Sequence, residues 1–372
     1  MRFHCLSVPH TATNKNYSAC AYTQKVLKFG KMMTDLGHTV IHYGNEDSDL
    51  ICTEHVTVTS RKDLQISYGN YDWKQNVFKY DHINDHAYKV FQTNAIREIE
   101  KRKQRYDFVL AFFGSPHEHI CNSFDRRWLI PVEPGIGYTR IFAPCKVFES
   151  YSLYHTLLGK DDMSWYDAVI PNYFDPNDFK FQNKKRNYFL YVGRLVKSKG
   201  IDIAVSVTEQ IGAKLIVAGQ KSDEFDPSEF PPHVEYVGYA DIETRKELMA
   251  NAIAGFVPSR YSEPFGGVQV EFLFSGTPTI TTDWGAFPEN NIHGLTGYRC
   301  RNFEQFIWAA KNIEKIDPHK CRQWAENYTL DKVGLMYQEY FDMVYNFYKH
   351  QSWYKSDTIR KDLNWLKKIN YG

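Results

Sequence analysis

Apolar residues fall in short β-rich runs at Phe3 to Val8, Thr39 to Tyr43, Phe108 to Phe113 and Leu129 to Val132, with helical-period stretches between several of them. Short apolar runs alternating with a 3.6-residue period are what parallel strands and crossover helices require, so the pattern predicts a parallel α/β sheet. The first crossover is explicit. A helix from about Ala21 to Leu36 ends at Gly37, which suits a left-handed helix cap, and His38-Thr39-Val40 starts the next strand. A second α/β series runs through Tyr188 to Val192, Lys214 to Ala218, Val234 to Val237, Gly255 to Pro258 and Thr279 to Thr282, with helices over Ile201 to Ile211 and Ile242 to Asn251. Helices follow at Pro318 to Asn327 and Asp331 to Lys349, then an aromatic, basic tail from Trp353 to Tyr371.

The two series meet at Ile170-Pro171-Asn172-Tyr173-Phe174-Asp175-Pro176, a turn-rich stretch with two prolines that is followed by the polar Gln182 to Asn187. This predicts an N-terminal domain over 1–170 and a C-terminal domain over 171–349, with the tail from 350 to 372 packing back on the first. Glu46 to His86, polar and aromatic around Y-G-N-Y-D-W, reads as a long, partly irregular insertion.

A length of 372 residues suits two domains of ordinary size. Lysine and arginine number 45 against 44 aspartates and glutamates, which argues against a polyanion binder that relies on bulk charge. Seven cysteines, scattered, odd in number and never spaced C-x-x-C, point to a reducing, cytoplasmic compartment. The opening M-R-F-H-C-L-S-V reads as a strand and not a signal peptide, and no apolar run approaches a membrane span.

Chemistry concentrates in S-E-P-F-G-G-V-Q-V-E-F-L-F-S-G-T-P. Glu263 opens a Pro/Gly loop and Glu271 lies on the helix that begins near Val268. Gly266 and Gly267 allow close backbone approach, and the helix start directs free N–H groups at an anion. Two fixed carboxylates accept hydrogen bonds from the hydroxyls of a polyol. Earlier, V-G-R-L ends a strand and K-S-K-G opens a helix, so Arg194 and Lys199 sit where open α/β sheets bind ligands and can neutralise a diphosphate.

V-G-R-L-x-x-x-K-G, L-I-V-A-G and E-P-F-G-G-x-x-x-E-F-x-x-S-G-T-P, with G-H-T-V early and I-P-N-Y-F-D at the boundary, resemble the retaining glycosyltransferases of GT-B fold, family 4, the glycosyl transferases group 1. The resemblance covers nearly all of the second half and is thin in the first. It implies two Rossmann-like α/β domains with parallel sheets facing an interdomain cleft. It also implies that Glu271 holds the ribose, Glu263 the donor sugar, and Arg194 and Lys199 the diphosphate. Gly193, Phe265, Gly266, Gly267 and Val268 would line the donor, with Glu289 of W-G-A-F-P-E as a further acidic residue.

The first half offers weaker candidates. His117-Glu118-His119 follows a strand; a metal site there lacks a third and fourth ligand, whereas the resemblance places a His near the donor sugar and makes His117, ahead of His119, the candidate. The glycine-rich turn common after the first strand of such enzymes is replaced by P-H-T-A-T-N-K-N-Y-S-A, where Asn16 and its neighbours can hydrogen-bond a phosphate or acceptor. Glu133-Pro134-Gly135-Ile136-Gly137-Tyr138 reads as a turn, and Tyr138 and Glu149 are acceptor-site candidates. Lys25, Lys28 and Lys31 among apolar neighbours fit a crossover helix or a peripheral membrane contact.

The expected activity is transfer of a hexosyl or similar group from a UDP-sugar or GDP-sugar to an acceptor hydroxyl, with retention and with neither metal nor cofactor. The acceptor can be a glycan, a lipid-linked sugar, a metabolite or, with less support from the charge, a modified nucleic acid. The alternatives are an epimerase-type enzyme on the same fold and a non-catalytic sugar-nucleotide or glycan-binding protein.

Overall fold

The computed structural model describes residues 1–70, 72–74, 76, 78–81, 84–160 and 163–350. The chain divides into two compact units, the first comprising Met1–Tyr71, Phe78–Tyr173 and the chain from Leu330 onward, the second Asp72–Val77 and Phe174–Thr329.

Unit 1 is built on a seven-stranded parallel sheet of order β3-β2-β1-β4-β5-β6-β7. The strands are β1 (Arg2–Leu6), β2 (Thr39–Asn45), β3 (Glu54–Thr59), β4 (Asp107–Ala111), β5 (Leu129–Ile136), β6 (Cys145–Phe148) and β7 (Ala168–Val169). The central strand β4, D-F-V-L-A, is buried on both faces, and continuous apolar character is what a doubly covered parallel strand needs. One face packs Leu6, Ile41, Tyr43, Val109 and Ala111 against Phe91, Ala95 and Ile99 of the helix His86–Glu100. On the other face Phe3 and Phe108 meet Phe29 of the helix Ala21–Asp35 and Phe341 of the helix Leu330–His350. Those two helices approach closely because Gly334 has no side chain: a Cβ there would lie 3.0 Å from Met32 Cγ.

Three expectations change here. The stretch after Glu46 contains a regular edge strand, β3, and a helix, Arg61–Tyr68, that opens on a reciprocal Ser60/Asp63 capping box. The return from unit 2 to unit 1 falls between Thr329 and Leu330, so the helix expected at the end of the C-terminal domain packs in unit 1 through Tyr337 and Phe341. The lysine-bearing first helix is no membrane face, because Val26, Phe29, Met32 and Met33 are buried and Lys25 is itself buried in an ion pair with Glu149. The tail expected from Trp353 to Tyr371 lies outside the described residues.

Unit 2 carries a six-stranded parallel sheet of order β10-β9-β8-β11-β12-β13. Its strands are β8 (Phe189–Val192), β9 (Leu215–Ala218), β10 (Val234–Tyr236), β11 (Gly255–Val257), β12 (Thr279–Thr282) and β13 (Gly297–Cys300). Its core includes Leu190, Ile216, Met249, Phe272 and Phe287. Counted from the first strand of each unit, both sheets share the doubly wound order 3-2-1-4-5-6, and such sheets bind ligands beyond the carboxyl ends of the two strands where the winding reverses. In unit 2 those strands are β8 and β11.

Candidate active site

The loops after β8 and β11 are packed to backbone distance. Gly200 (φ +71°) closes the short Lys197–Lys199 turn, and a Cβ there would stand 2.1 Å from the Pro258 carbonyl oxygen. Gly219, after β9, lies as tightly on the β8 loop: its Cβ would fall 1.8 Å from the Gly193 oxygen. Gly193 therefore serves as a close-packing point between loops, which fixes Arg194 and Lys199 on the site edge.

Across the reversal point, Lys199 Nζ donates to Glu263 Oε1 at 2.5 Å, and Ser259 Oγ donates to the same oxygen at 2.6 Å. The Glu263 side chain is 6% exposed and that of Lys199 24%, so a nearly buried carboxylate is compensated by an ammonium that still reaches solvent. The ammonium also lies 4.9 Å from the centre of the Tyr261 ring. Burial and the neighbouring Glu263 charge push the Tyr261 hydroxyl well above its ordinary range, partly opposed by Arg194. Arg194 is exposed at the end of the strand. The Glu263 backbone is clamped by the W-G-A-F segment: Ala286 N–H donates to the Glu263 carbonyl at 3.0 Å, and Gly285 (φ +63°) sits where a Cβ would be 2.6 Å from Glu263 N.

The glycine loop then turns into the helix Gly267–Phe274. Gly266 caps it at φ +80°, where a side chain would meet the Phe287 ring at 2.7 Å. Gly267 and Val268 occupy the first turn, whose N–H groups have no acceptor within the helix. Phe265 is the loop's anchor, buried against Phe174 and Tyr328. Its carbonyl accepts from Asn290 Nδ2 at 2.5 Å, while Asn290 Oδ1 accepts from Tyr328 at 3.2 Å and the Asn290 carbonyl from Trp324 at 2.9 Å. Glu271, one turn on, is paired with Arg245 of the helix Ile242–Asn251, both carboxylate and guanidinium being mostly buried. Glu289 is half-buried on the short helix Phe287–Asn290, where its charge adds to burial in raising the Tyr328 hydroxyl.

Sequence reasoning named Arg194, Lys199, Glu263, Phe265, Glu271 and the glycines as candidates and did not name three residues that hold them in place. Ser259 holds Glu263, Arg245 holds Glu271 and Asn290 holds the Phe265 carbonyl, and none stands in a pattern that distinguishes it from ordinary loop or helix residues.

In unit 1, His117 is fully buried, with Nε2 3.0 Å from the Ser7 carbonyl and Nδ1 without a hydrogen-bond partner among the described residues. Burial pulls its pKa down to about 4, so the ring is neutral near pH 7. Among the described residues no three His, Cys, Asp or Glu side chains gather in a metal-holding group. Glu133-Pro134-Gly135-Ile136 is not a free turn but the end of β5, bent by a register shift with Gly135 at φ +73°. Glu133 is buried there and accepts from the N–H groups of Phe142 and Ala143 and from Tyr138 Oη at 3.1 Å. Tyr138 also donates to the Ala111 carbonyl at 3.2 Å. Glu149 pairs with Lys25, whose Nζ donates to the Gly135 carbonyl at 2.8 Å, so both acceptor candidates brace one loop, with Gly137 lying against Glu149. Asn16 is exposed in the short turn Lys15–Tyr17, its N–H held by Asn14.

Two doubly wound parallel sheets, one carrying a glycine loop at a helix start beside the Lys199–Glu263 pair, make up a GT-B fold. Residues 174–330 match the family model of the glycosyl transferases group 1. An uncharacterised glycosyltransferase of Methanocaldococcus jannaschii is 30% identical over 283 residues, covering 62% of this chain and 72% of that one. The chain belongs to the glycosyl transferases group 1 family. A glycogen synthase of Mycobacterium tuberculosis is 33% identical over 122 residues, 30% of this chain, which spans only 29% of that relative's length. Among solved structures, sucrose-phosphate synthase from Thermosynechococcus elongatus matches with a TM-score of 0.69 at 18% identity over 92% of this chain and 99% of its own. An Anabaena protein crystallised with UDP-glucose matches with a TM-score of 0.64 at 15% identity over 92% and 99%. At such identities the structural matches bear on the fold.

Proposed function

We propose that the chain is a retaining, metal-independent glycosyltransferase of family 4 that takes a hexosyl or similar group from a UDP-sugar or GDP-sugar to an acceptor hydroxyl. The observation that carries this is the Lys199–Glu263 pair at the winding reversal of unit 2, beside the helix start at Gly267, which has no side-chain cap. A diphosphate arriving there replaces Glu263 as the partner of Lys199, and Arg194 adds a second positive charge. Glu263 is then released to accept hydrogen bonds from the sugar hydroxyls, while Glu271, oriented by Arg245, accepts from the ribose.

In the reaction the bond between the anomeric carbon and the β-phosphate oxygen breaks, its electron pair passing to the phosphate. Lys199, Arg194 and the N–H groups of Gly267 and Val268 stabilise that charge. The acceptor oxygen bonds to the anomeric carbon on the same face and gives its proton to the departing phosphate oxygen, so the step needs no protein base. The Anabaena structure with UDP-glucose supports a donor of this class. The acceptor classes are glycans, lipid-linked sugars, small metabolites and, with less support from the charge, modified nucleic acid.

The test is turnover of a panel of nucleoside diphosphate sugars with and without an acceptor library, the product anomer read by NMR. Release of nucleoside diphosphate that depends on acceptor, with the donor's anomeric configuration kept, is the expected result. Inversion contradicts retention, acceptor-independent conversion to an epimer favours the epimerase, and binding without release favours a binding protein.

A further inference from the structure

One stretch of the N-terminal half's sequence, Asp72–Val77, belongs to unit 2. Among the described residues, a buried side chain anchors it. Gln220, 3% exposed, donates from Nε2 to the carbonyls of Trp73 at 2.5 Å and Asn76 at 2.9 Å. Asp72 Oδ1 accepts from the N–H of Lys74, and the Asp72 carbonyl accepts from both nitrogens of Asn76. The Trp73 ring lies edge-on to Tyr239 at 5.7 Å, with Lys74 Nζ 5.8 Å from its centre.

The place matters more than the contacts. Gln220 follows β9, Tyr239 follows β10, and the Gln220 carbonyl accepts from the N–H of Leu195 in the β8 loop. The two outer loops are locked together, Gly219 N–H to the Gly238 carbonyl at 2.8 Å and Tyr236 Oη to the Gly219 carbonyl at 2.9 Å. Trp73 therefore stands over the carboxyl ends of adjacent parallel strands, on the edge where such sheets bind nucleotides. The donor geometry leads to the same spot. With the diphosphate on Arg194 and Lys199 and the ribose on Glu271, the nucleoside runs toward the helix that supplies Arg245, and that helix starts directly after Gly238-Tyr239-Ala240.

We infer that Trp73, positioned by Gln220 and backed by Tyr239, is the wall against which the donor's nucleobase stacks, so that a peptide from the N-terminal half's sequence sets base selectivity in unit 2. This rests on the nucleotide-sugar reading of the same site. A half-buried indole supplies a flat, apolar face that any base can stack on, and its distance from the locked loops decides which base fits.

The experiment is calorimetric titration of the full chain with UDP, GDP and ADP, comparing wild type, Trp73→Ala, Trp73→Phe, Gln220→Ala and the double variant Trp73→Ala/Gln220→Ala. The expected result is that wild type prefers one nucleotide, that Trp73→Ala weakens it by roughly five-fold or more and narrows the preference, and that Trp73→Phe keeps most of both. Gln220→Ala moves the same way and adds little to Trp73→Ala in the double variant, because it acts through the same ring. Unchanged affinities and ratios in Trp73→Ala overturn the inference while leaving the donor site standing. Tighter binding in Trp73→Ala also overturns it, since the ring then occupies the base position. Wild type that binds none of the three removes the donor reading and the inference together.

Discussion

Lys199 and Glu263 are 64 positions apart in the chain, yet their charged atoms lie 2.5 Å apart in the fold. The pair joins the loops after β8 and β11 and sets the Lys199 ammonium against a nearly buried carboxylate. Lys199→Ala removes that cation. The expected outcome is a loss of ~2–3 kcal/mol in denaturant-unfolding stability from the orphaned carboxylate, and a fall in kcat/KM of about a hundred-fold or more. Adding Glu263→Gln to Lys199→Ala recovers much of the stability and none of the activity. Steady-state kinetics beside urea titrations separate the two effects; full activity in Lys199→Ala shows the pair to be a strut only.

Arg245 is the partner that fixes Glu271. In Arg245→Ala the carboxylate loses its orientation while the diphosphate residues stay in place. Donor KM is expected to rise roughly ten-fold with kcat little changed, as for loss of a binding contact felt equally in ground and transition states. Arg245→Lys restores part of the charge but not the planar fork, and falls between.

Asn290 acts on the loop, not on the ligand. Asn290→Ala removes the amide that donates to the Phe265 carbonyl and accepts from the Tyr328 hydroxyl inside the core. A cost of ~2 kcal/mol and a melting temperature lower by several degrees are expected, with donor affinity reduced because the glycine loop loses its staple. A variant that melts like wild type removes Asn290 from the account.

Burial raises the pKa of Glu133 to about 7, from an ordinary 4.5. The native state then holds more protons than the unfolded chain between those values. Glu133's contribution is full below about 4.5 and declines as pH rises to about 7. The buried His117, with its pKa lowered to about 4, works in the opposite direction over an overlapping range, so the wild-type curve alone is ambiguous. The stability difference between wild type and Glu133→Gln isolates the carboxyl: it should shift against wild type from pH 4.5 to 7 and stay level above. A flat difference shows that Glu133 is ionised throughout.

The fold was largely legible. Continuous apolar runs such as F-V-L-A and L-I-V-A mark doubly covered strands, and Gly37 ends its helix as expected. The strand β3 was missed because E-H-V-T-V-T is an edge strand in which only Val56, Val58 and Thr59 are buried, so its apolar signal is half that of a central one. Glu133 was read as a turn residue since Pro134 and Gly135 look like turn chemistry, whereas a bulge lets β5 keep pairing with β6 through them. In the candidate site, Gly266 stands at φ +80°, a backbone position few other residues tolerate, whereas Arg194, Lys199, Glu263 and Glu271 were named from their places at loop ends and in the motifs. Ser259, Arg245 and Asn290 were not, since what distinguishes them is the atom they touch, and that is decided by the fold.

The most direct measurement is thermal shift of wild type and Glu271→Ala across UDP, GDP and ADP sugars, since a ligand that binds only the native state raises its melting temperature. At least one donor should stabilise wild type, and Glu271→Ala, folded without ligand, should lose that shift. No stabilisation by any donor, or an equal shift in both proteins, would contradict the assignment of unit 2 as a nucleotide-sugar site.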